Sequence, residues 1–209
     1  MSKEDAGQAA EETIDLKEPG LAAFLAWLVP GLGHWYQGRT AKAVLYFVSI
    51  MGLFGYGVYL GSSNEPCRDG TGTIGYGRAV YFSFRDGDWR LSYLGQIGIG
   101  LPSLPALVQA SRMSDHRKVW WGGFMAPPRL EVDGSGDRAD PNFDQPTLGD
   151  LHRQLHHYFD LATFFTTVAG LLNILAIYDA WAGPVVVSQP AKKEDQPDES
   201  PEAAGSTPA

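Results

Sequence analysis

Phe159–Ala182, FDLATFFTTVAGLLNILAIYDAWA, runs for 24 residues without Lys or Arg, and its only acids, Asp160 and Asp179, lie close to its two ends. At about 1.5 Å per residue a helix needs roughly 20 apolar residues to cross a bilayer core of about 30 Å. This stretch is long enough. Working outward, Gly20–Tyr36 (17 residues), Ala43–Gly61 (19) and Tyr93–Ala110 (18) are also apolar and free of Lys, Arg, Asp and Glu. The four runs predict an all-α integral membrane protein with four transmembrane helices, a small β-hairpin-like soluble loop and disordered tails.

The average composition hides this pattern, because 44% hydrophobic residues and a mean hydropathy of −0.16 are values of an ordinary soluble domain. Two polar tails dilute the mean. Residues 1–19 carry six acids against Lys3 and Lys17, and residues 188–209 carry five against Lys192 and Lys193, so −7 of the net −8 lies outside the body. The body is near neutral and has no basic patch, which argues against a nucleic-acid partner. Cys67 is the single cysteine, so an intrachain disulfide is excluded. The N-terminus lacks the basic region, free apolar core and small-residue cleavage site of a secretory signal, so the first run is expected to stay in the mature chain.

The runs divide the chain into an acidic flexible N-tail (1–19), a two-helix transmembrane hairpin (20–61), a soluble loop (62–92), a third transmembrane helix (93–110), a soluble loop with an interfacial helix (111–158), a fourth transmembrane helix (159–182) and a disordered acidic C-tail (183–209). In 62–92, Ala79–Phe84 and Trp89–Tyr93 flank the turn residues Arg85-Asp-Gly-Asp88 and predict a β-hairpin. Thr147 is placed to N-cap the interfacial helix, with Asp150 at the capping-box position. Lys and Arg number eight on each side of a four-span topology. Arg39, Lys42, Arg112, Arg117, Lys118 and Arg153 adjoin span ends, which places both tails outside the cytoplasm. The short first run, containing Pro30, has a re-entrant element as its alternative.

The first two runs are joined by Pro30-Gly-Leu-Gly-His-Trp-Tyr-Gln-Gly-Arg39. Pro30 removes a helical hydrogen bond and Gly31 and Gly33 permit close backbone approach, so the first helix should kink or stop here. Gly38 makes the turn. At Gly31, Gly33, His34, Tyr36, Gly38 and Arg39 this segment resembles the family of two-transmembrane-helix hairpin domains over about 45 residues. It departs from that family at Pro30 and lacks its acidic-Arg-aromatic triplet. The whole chain, through Tyr93–Gln96, Leu101–Gln109, Met125–Pro128 and Gly170–Pro184, resembles an uncharacterised multi-pass membrane family of planctomycete-type bacteria. That resemblance implies a bacterial inner-membrane location and assigns no activity.

Polar groups inside spans are costly unless paired. Gln96, Gly100 and Ser103 share one face of the third run; Thr163, Thr166, Gly170, Asn173 and Ile177 share one of the fourth. Antiparallel spans would pair Gln96 with Asp179 and Ser103 with Asn173. His152, His156 and His157, with His34 at the same membrane face by the four-span count, are candidate metal ligands; the other reading is an interfacial helix. Gly57-x-x-x-Gly61 predicts close helix packing, within the chain or between copies. No catalytic motif is present and no cofactor is implied. The function expected is a non-enzymatic membrane protein that organises partners: the lipid bilayer, other membrane proteins or a second copy. The alternatives are a transporter or channel component using Gln96, Asn173 and Asp179, and a metal-dependent membrane enzyme.

Overall fold

Pro19 opens the first helix, α1 (Pro19–Leu28), where its missing N–H is an orphan in any case. Eleven residues later Pro30 closes it: proline cannot donate to the Ala26 carbonyl and drives Val29 into extended geometry (φ −140°, ψ 124°). Gly31, at φ +83°, reverses the chain, and a Cβ there would overlap the Ala43 carbonyl. A short α2 (Leu32–Tyr36) then returns beside α1. These coordinates are a computed structural model that describes residues 18–68, 70, 72–130 and 140–183. The tails expected to be disordered lie outside the described residues, apart from the few positions adjoining α1 and Gly183.

Helix α3 (Thr40–Leu60) follows. Two hairpins come next: β1 (Ser63–Pro66) with β2 (Thr73–Gly75), antiparallel with Ser63 opposite Gly75, and β3 (Phe84–Arg85) with β4 (Asp88–Trp89). The expected hairpin at 79–93 is thus confined to its tip around Asp86-Gly87. Residues 79–81 are buried under the layer as irregular chain, because their apolar side chains all pack inward instead of alternating. The β1–β2 pair was not anticipated.

The third run does not form one helix. It breaks into α4 (Ser92–Gln96), two 3₁₀ turns (Ile97–Ile99 and Leu101–Ser103) and α5 (Leu104–Ser114). Pro102 and Pro105 remove two helical donors within four residues, and Gly100 turns at φ +82°, ψ −131°. Helix α6 (Leu148–Leu155) begins with the full Thr147/Asp150 capping box. His156, at φ 48°, separates it from α7 (His157–Ala182), the longest helix.

Helices α3 and α7 run antiparallel. Lys42 meets Asp179 at one end, and Gly57 sits against Ala162 and Thr166 towards the other, so Gly57-x-x-x-Gly61 packs within the chain. The α1–α2 hairpin enters this frame from the Asp179 end, with Ala22 and Ala26 against Ala180 and Ile177. The α4–α5 hairpin enters from the opposite end, where Arg90 reaches Thr163, and α5 returns there, with Met113 against Arg85. The main core, around Ile50, Phe54, Tyr93, Ile99, Ala106, Ala169 and Ala176, lies between the frame and the second hairpin. Both β-hairpins, α6 and the loops of 115–130 and 140–147 form a layer over that end, with Cys67, Ile74, Tyr81, Leu151, Leu155 and Phe159 as its own core.

Two helices, α3 and α7, are long and apolar enough to cross a membrane. Instead of four continuous spans, the structure contains these two helices and two hairpins that reach only partway along them.

Candidate functional site

The two hairpin tips meet on α7 at Asn173. A helical Ala26 carbonyl would accept from residue 30 and a helical Gly98 carbonyl from residue 102; both positions are proline, with no N–H to give. The Asn173 amide supplies both missing donors, with Nδ2 at 3.1 Å from the Ala26 oxygen and 2.9 Å from the Gly98 oxygen. The Trp27 indole N–H adds a third link to the Ile97 carbonyl at 3.3 Å. Gly100 lies flat on Trp27, where a Cβ would overlap the Trp27 carbonyl. Gly95 and Gly98 likewise bring the backbone of the second tip onto Gly170.

Gln96, Ser103 and Asn173, singled out in the sequence as polar residues within the apolar runs, lie around this joint. Gln96, Ser103 and Asn173 are fully buried. Gln96 Nε2 donates to Thr166 Oγ1 at 2.8 Å and to the Ala79 carbonyl at 3.1 Å. The Ser103 hydroxyl donates to Gly100, and its carbonyl accepts from the Tyr93 hydroxyl. Gln96 therefore does not pair with Asp179, nor Ser103 with Asn173. The third run enters parallel to α7 from the same end, so depth matches Gln96 to Thr166. Three side-chain atoms here are buried without a partner among the described residues: Gln96 Oε1, Thr167 Oγ1 and Asn173 Oδ1.

Asp179 organises the other end. Its Oδ2 lies 2.8 Å from His34 Nε2, 3.2 Å from Arg39 Nη2, 3.3 Å from Lys42 Nζ and 3.5 Å from the Tyr46 hydroxyl. Gln37 Nε2 donates to the Ala180 carbonyl at 2.7 Å. The Pro30–Arg39 segment is thereby accounted for residue by residue. Pro30 and Gly31 form the tip, Gly33 abuts the Ala22 carbonyl, and Tyr36 packs on the alanine cluster. Gly38 turns the chain at φ +81°, and His34 and Arg39 fasten the hairpin to α7.

His34 does not join the other histidines. His152, His156 and His157 lie at the opposite end of α7, and His157 and Asp179 are 22 residues, about 33 Å, apart along that helix. The return of α5 puts residues 115–130 and 140–156 at the end away from His34. Among the described residues no three His, Cys, Asp or Glu side chains converge as metal ligands.

Inside the layer Arg78 is 1% exposed and has no carboxylate hydrogen-bond partner among the described residues. It donates to the Ile74 carbonyl, to Gln145 Oε1 at 3.0 Å and to the Gly122 carbonyl at 3.5 Å, tying three segments together. Burial pulls its pKa down to about 10, so it stays charged at neutral pH. Arg90 is held between the Tyr81 and Phe159 rings at 4.6 and 4.7 Å, and burial lowers its pKa also. Gln109 receives the Trp120 N–H and donates to the Trp120 and Phe124 carbonyls. Arg78 and Gln109 carry no sequence motif. The breaks at Gly100, Pro102 and Pro105 do, as three turn-forming residues within six positions.

No curated protein and no solved structure matches the chain significantly. A family of unknown function, DUF6677, matches residues 21–193, most of the chain, and the protein belongs to that family.

Proposed function

We propose that the protein is a non-enzymatic, multi-pass protein of a bacterial inner membrane, in which α3 and α7 cross the bilayer and the two hairpins enter it from opposite faces. On this reading the bundle anchors the layer of β-hairpins, α6 and their adjoining loops at one membrane surface as a platform for partners. The outward faces of both long helices support it. Val44, Leu45, Val48, Phe164, Leu171, Leu175 and others are exposed, and only 22% and 33% of the two apolar windows are buried, unlike a soluble core helix. Exposed Trp35, Tyr178 and Trp181 at one end, and Tyr59, Trp89 and Tyr158 at the other, fit two interfacial aromatic belts. Irregular backbone is tolerated at membrane depth only where protein covers it or water lines it, and Asn173 provides the cover. The likeness of residues 20–61 to two-helix hairpin domains extends, on this reading, to location and not to topology.

With both hairpins re-entrant, ten of the sixteen Lys and Arg residues fall in 62–158. The positive-inside rule then puts the layer in the cytoplasm and both tails outside.

The observation that carries the structural role is the contact of the two tips, where Gly100 on Trp27 and Gly95 on Gly170 fill the bundle centre with backbone. Purified protein in liposomes should leave proton and K⁺ permeability at that of empty vesicles. The second reading, a solute or proton pathway, is favoured by the unpaired polar atoms along α7. A leak altered by Asn173→Ala would establish it instead. Reporter fusions at Trp89 and Arg117 should report one side, and a C-terminal fusion the other; opposite sides for Trp89 and Arg117 would defeat the re-entrant topology.

A further inference from the structure

At the end of the bundle where α3 begins, hydrogen-bond donors outnumber acceptors among the described residues. Arg39 and Lys42 share one oxygen of Asp179, which His34 and Tyr46 also approach. Arg39 has one further side-chain acceptor, Gln37 Oε1 at 3.3 Å, and the Lys42 side chain is 49% exposed. Among the described residues one carboxylate thus serves two permanent cations. The same corner holds the positive pole of α3, whose first turn has neither a capping side chain nor an acid.

An outward stripe of α3 leads away from Lys42 through Leu45, Ser49, Gly52 and Tyr56, spaced so as to share one helical face. Leu45 and Tyr56 are exposed, and the space beside Gly52 is open, with no atom within 4 Å of where a Cβ would stand. Exposed Trp35 lies beside the cations in the chain, and exposed Trp181 follows Asp179 by two residues. Charge, an interfacial aromatic collar and an apolar track occur in the order in which a phospholipid presents its headgroup, its glycerol region and its chains.

We propose that Arg39, Lys42 and the first turn of α3 bind the phosphate of an anionic phospholipid headgroup, with an acyl chain laid along Leu45, Ser49 and Gly52. This rests on the membrane reading above. Asp179 then has a second role, turning Arg39 and Lys42 towards the headgroup while leaving the site net positive. Each cation near an anionic lipid surface contributes on the order of a fivefold gain in occupancy.

Native mass spectrometry of the detergent-purified full chain, titrated with phosphatidylglycerol, with phosphatidylcholine and with inorganic phosphate, tests it. The expected result is retained phosphatidylglycerol adducts, with occupancy reduced about fivefold by Lys42→Gln and unchanged by Lys118→Gln, a control in the layer. Lys42→Gln leaves the His34, Arg39 and Tyr46 contacts to Asp179 in place, so the fold is kept. Phosphatidylglycerol retained equally by Lys42→Gln, or no preference over phosphatidylcholine, overturns the site while leaving the membrane reading intact. Displacement of the lipid by millimolar inorganic phosphate identifies a soluble phosphate site and overturns the lipid assignment. Recovery of the protein from cells in the soluble fraction without detergent defeats the membrane reading itself.

Discussion

Asn173 gives both protons of its side-chain amide to carbonyls that prolines have left without partners, Ala26 at 3.1 Å and Gly98 at 2.9 Å. Two helices that stop in the middle of a bundle are tolerable only if their ends are satisfied, and one residue on a third helix satisfies both. Asn173→Ala is expected to lower stability by about 1–3 kcal/mol, the cost of orphaned buried acceptors. Asn173→Asp should cost at least as much, because a carboxylate brings no donor. Thermal unfolding in detergent measures both, and an aspartate variant as stable as the parent would refute the joint.

The joint also depends on Gly100, whose φ of +82° suits glycine and whose α-carbon leaves no room beneath the Trp27 carbonyl. Gly100→Ala should destabilise severely, by more than about 3 kcal/mol, from strain and overlap together. Gly52→Ala, with open space around it, should stay within about 0.5 kcal/mol or stabilise. Comparable losses at the two positions would show that the tips are not in contact.

What the sequence made legible were properties of single elements. The lengths of α3 and α7, the Thr147/Asp150 capping box and the turn at Asp86-Gly87 follow from local chemistry and appear as read, within a few residues at their ends. The third run was misread because hydropathy weighs Gly100, Pro102 and Pro105 by polarity and not by their effect on the helix ladder. Its return reversed the direction assumed relative to α7, and the depth pairing of Gln96 with Asp179 failed with it. Arg78 was invisible for another reason. Its carbonyl partners at Ile74 and Gly122 are backbone atoms, which leave no trace in residue types.

Arg78 should hold the layer together. Arg78→Met keeps the length of the side chain but leaves the Ile74 and Gly122 carbonyls and Gln145 Oε1 without its donors, a loss of about 2–4 kcal/mol. Limited proteolysis should show earlier cleavage within 115–130 and 140–147, with α3 and α7 still protected. The pH dependence has a definite sign. The folded pKa of about 10 lies below the unfolded value, so above that pH the unfolded chain binds more protons than the folded one, and stability rises with pH there. The parent should therefore gain on Arg78→Met above pH 10. A constant difference there would mean that the guanidinium is not buried as described.

Asp179 and Gln96 provide the sharpest test of chain direction. Gln96 bonds to Thr166, 13 residues or about 20 Å from Asp179 along α7. Asp179→Asn weakens the attachment of His34 and Arg39 at one end, at a cost of about 1–2 kcal/mol given that the carboxylate is partly exposed. Gln96→Ala removes donors to Thr166 and the Ala79 carbonyl, at a similar cost. Sites this far apart with no shared partner add to within about 0.5 kcal/mol. The double variant should therefore lose the sum of the two, as read from unfolding midpoints in one detergent. Antiparallel packing would put the two side chains in contact, and the double variant would then lose less than the sum by more than that margin. Coupling of that size would mean that the third run crosses the full length of α7, and the two-hairpin architecture would have to be abandoned.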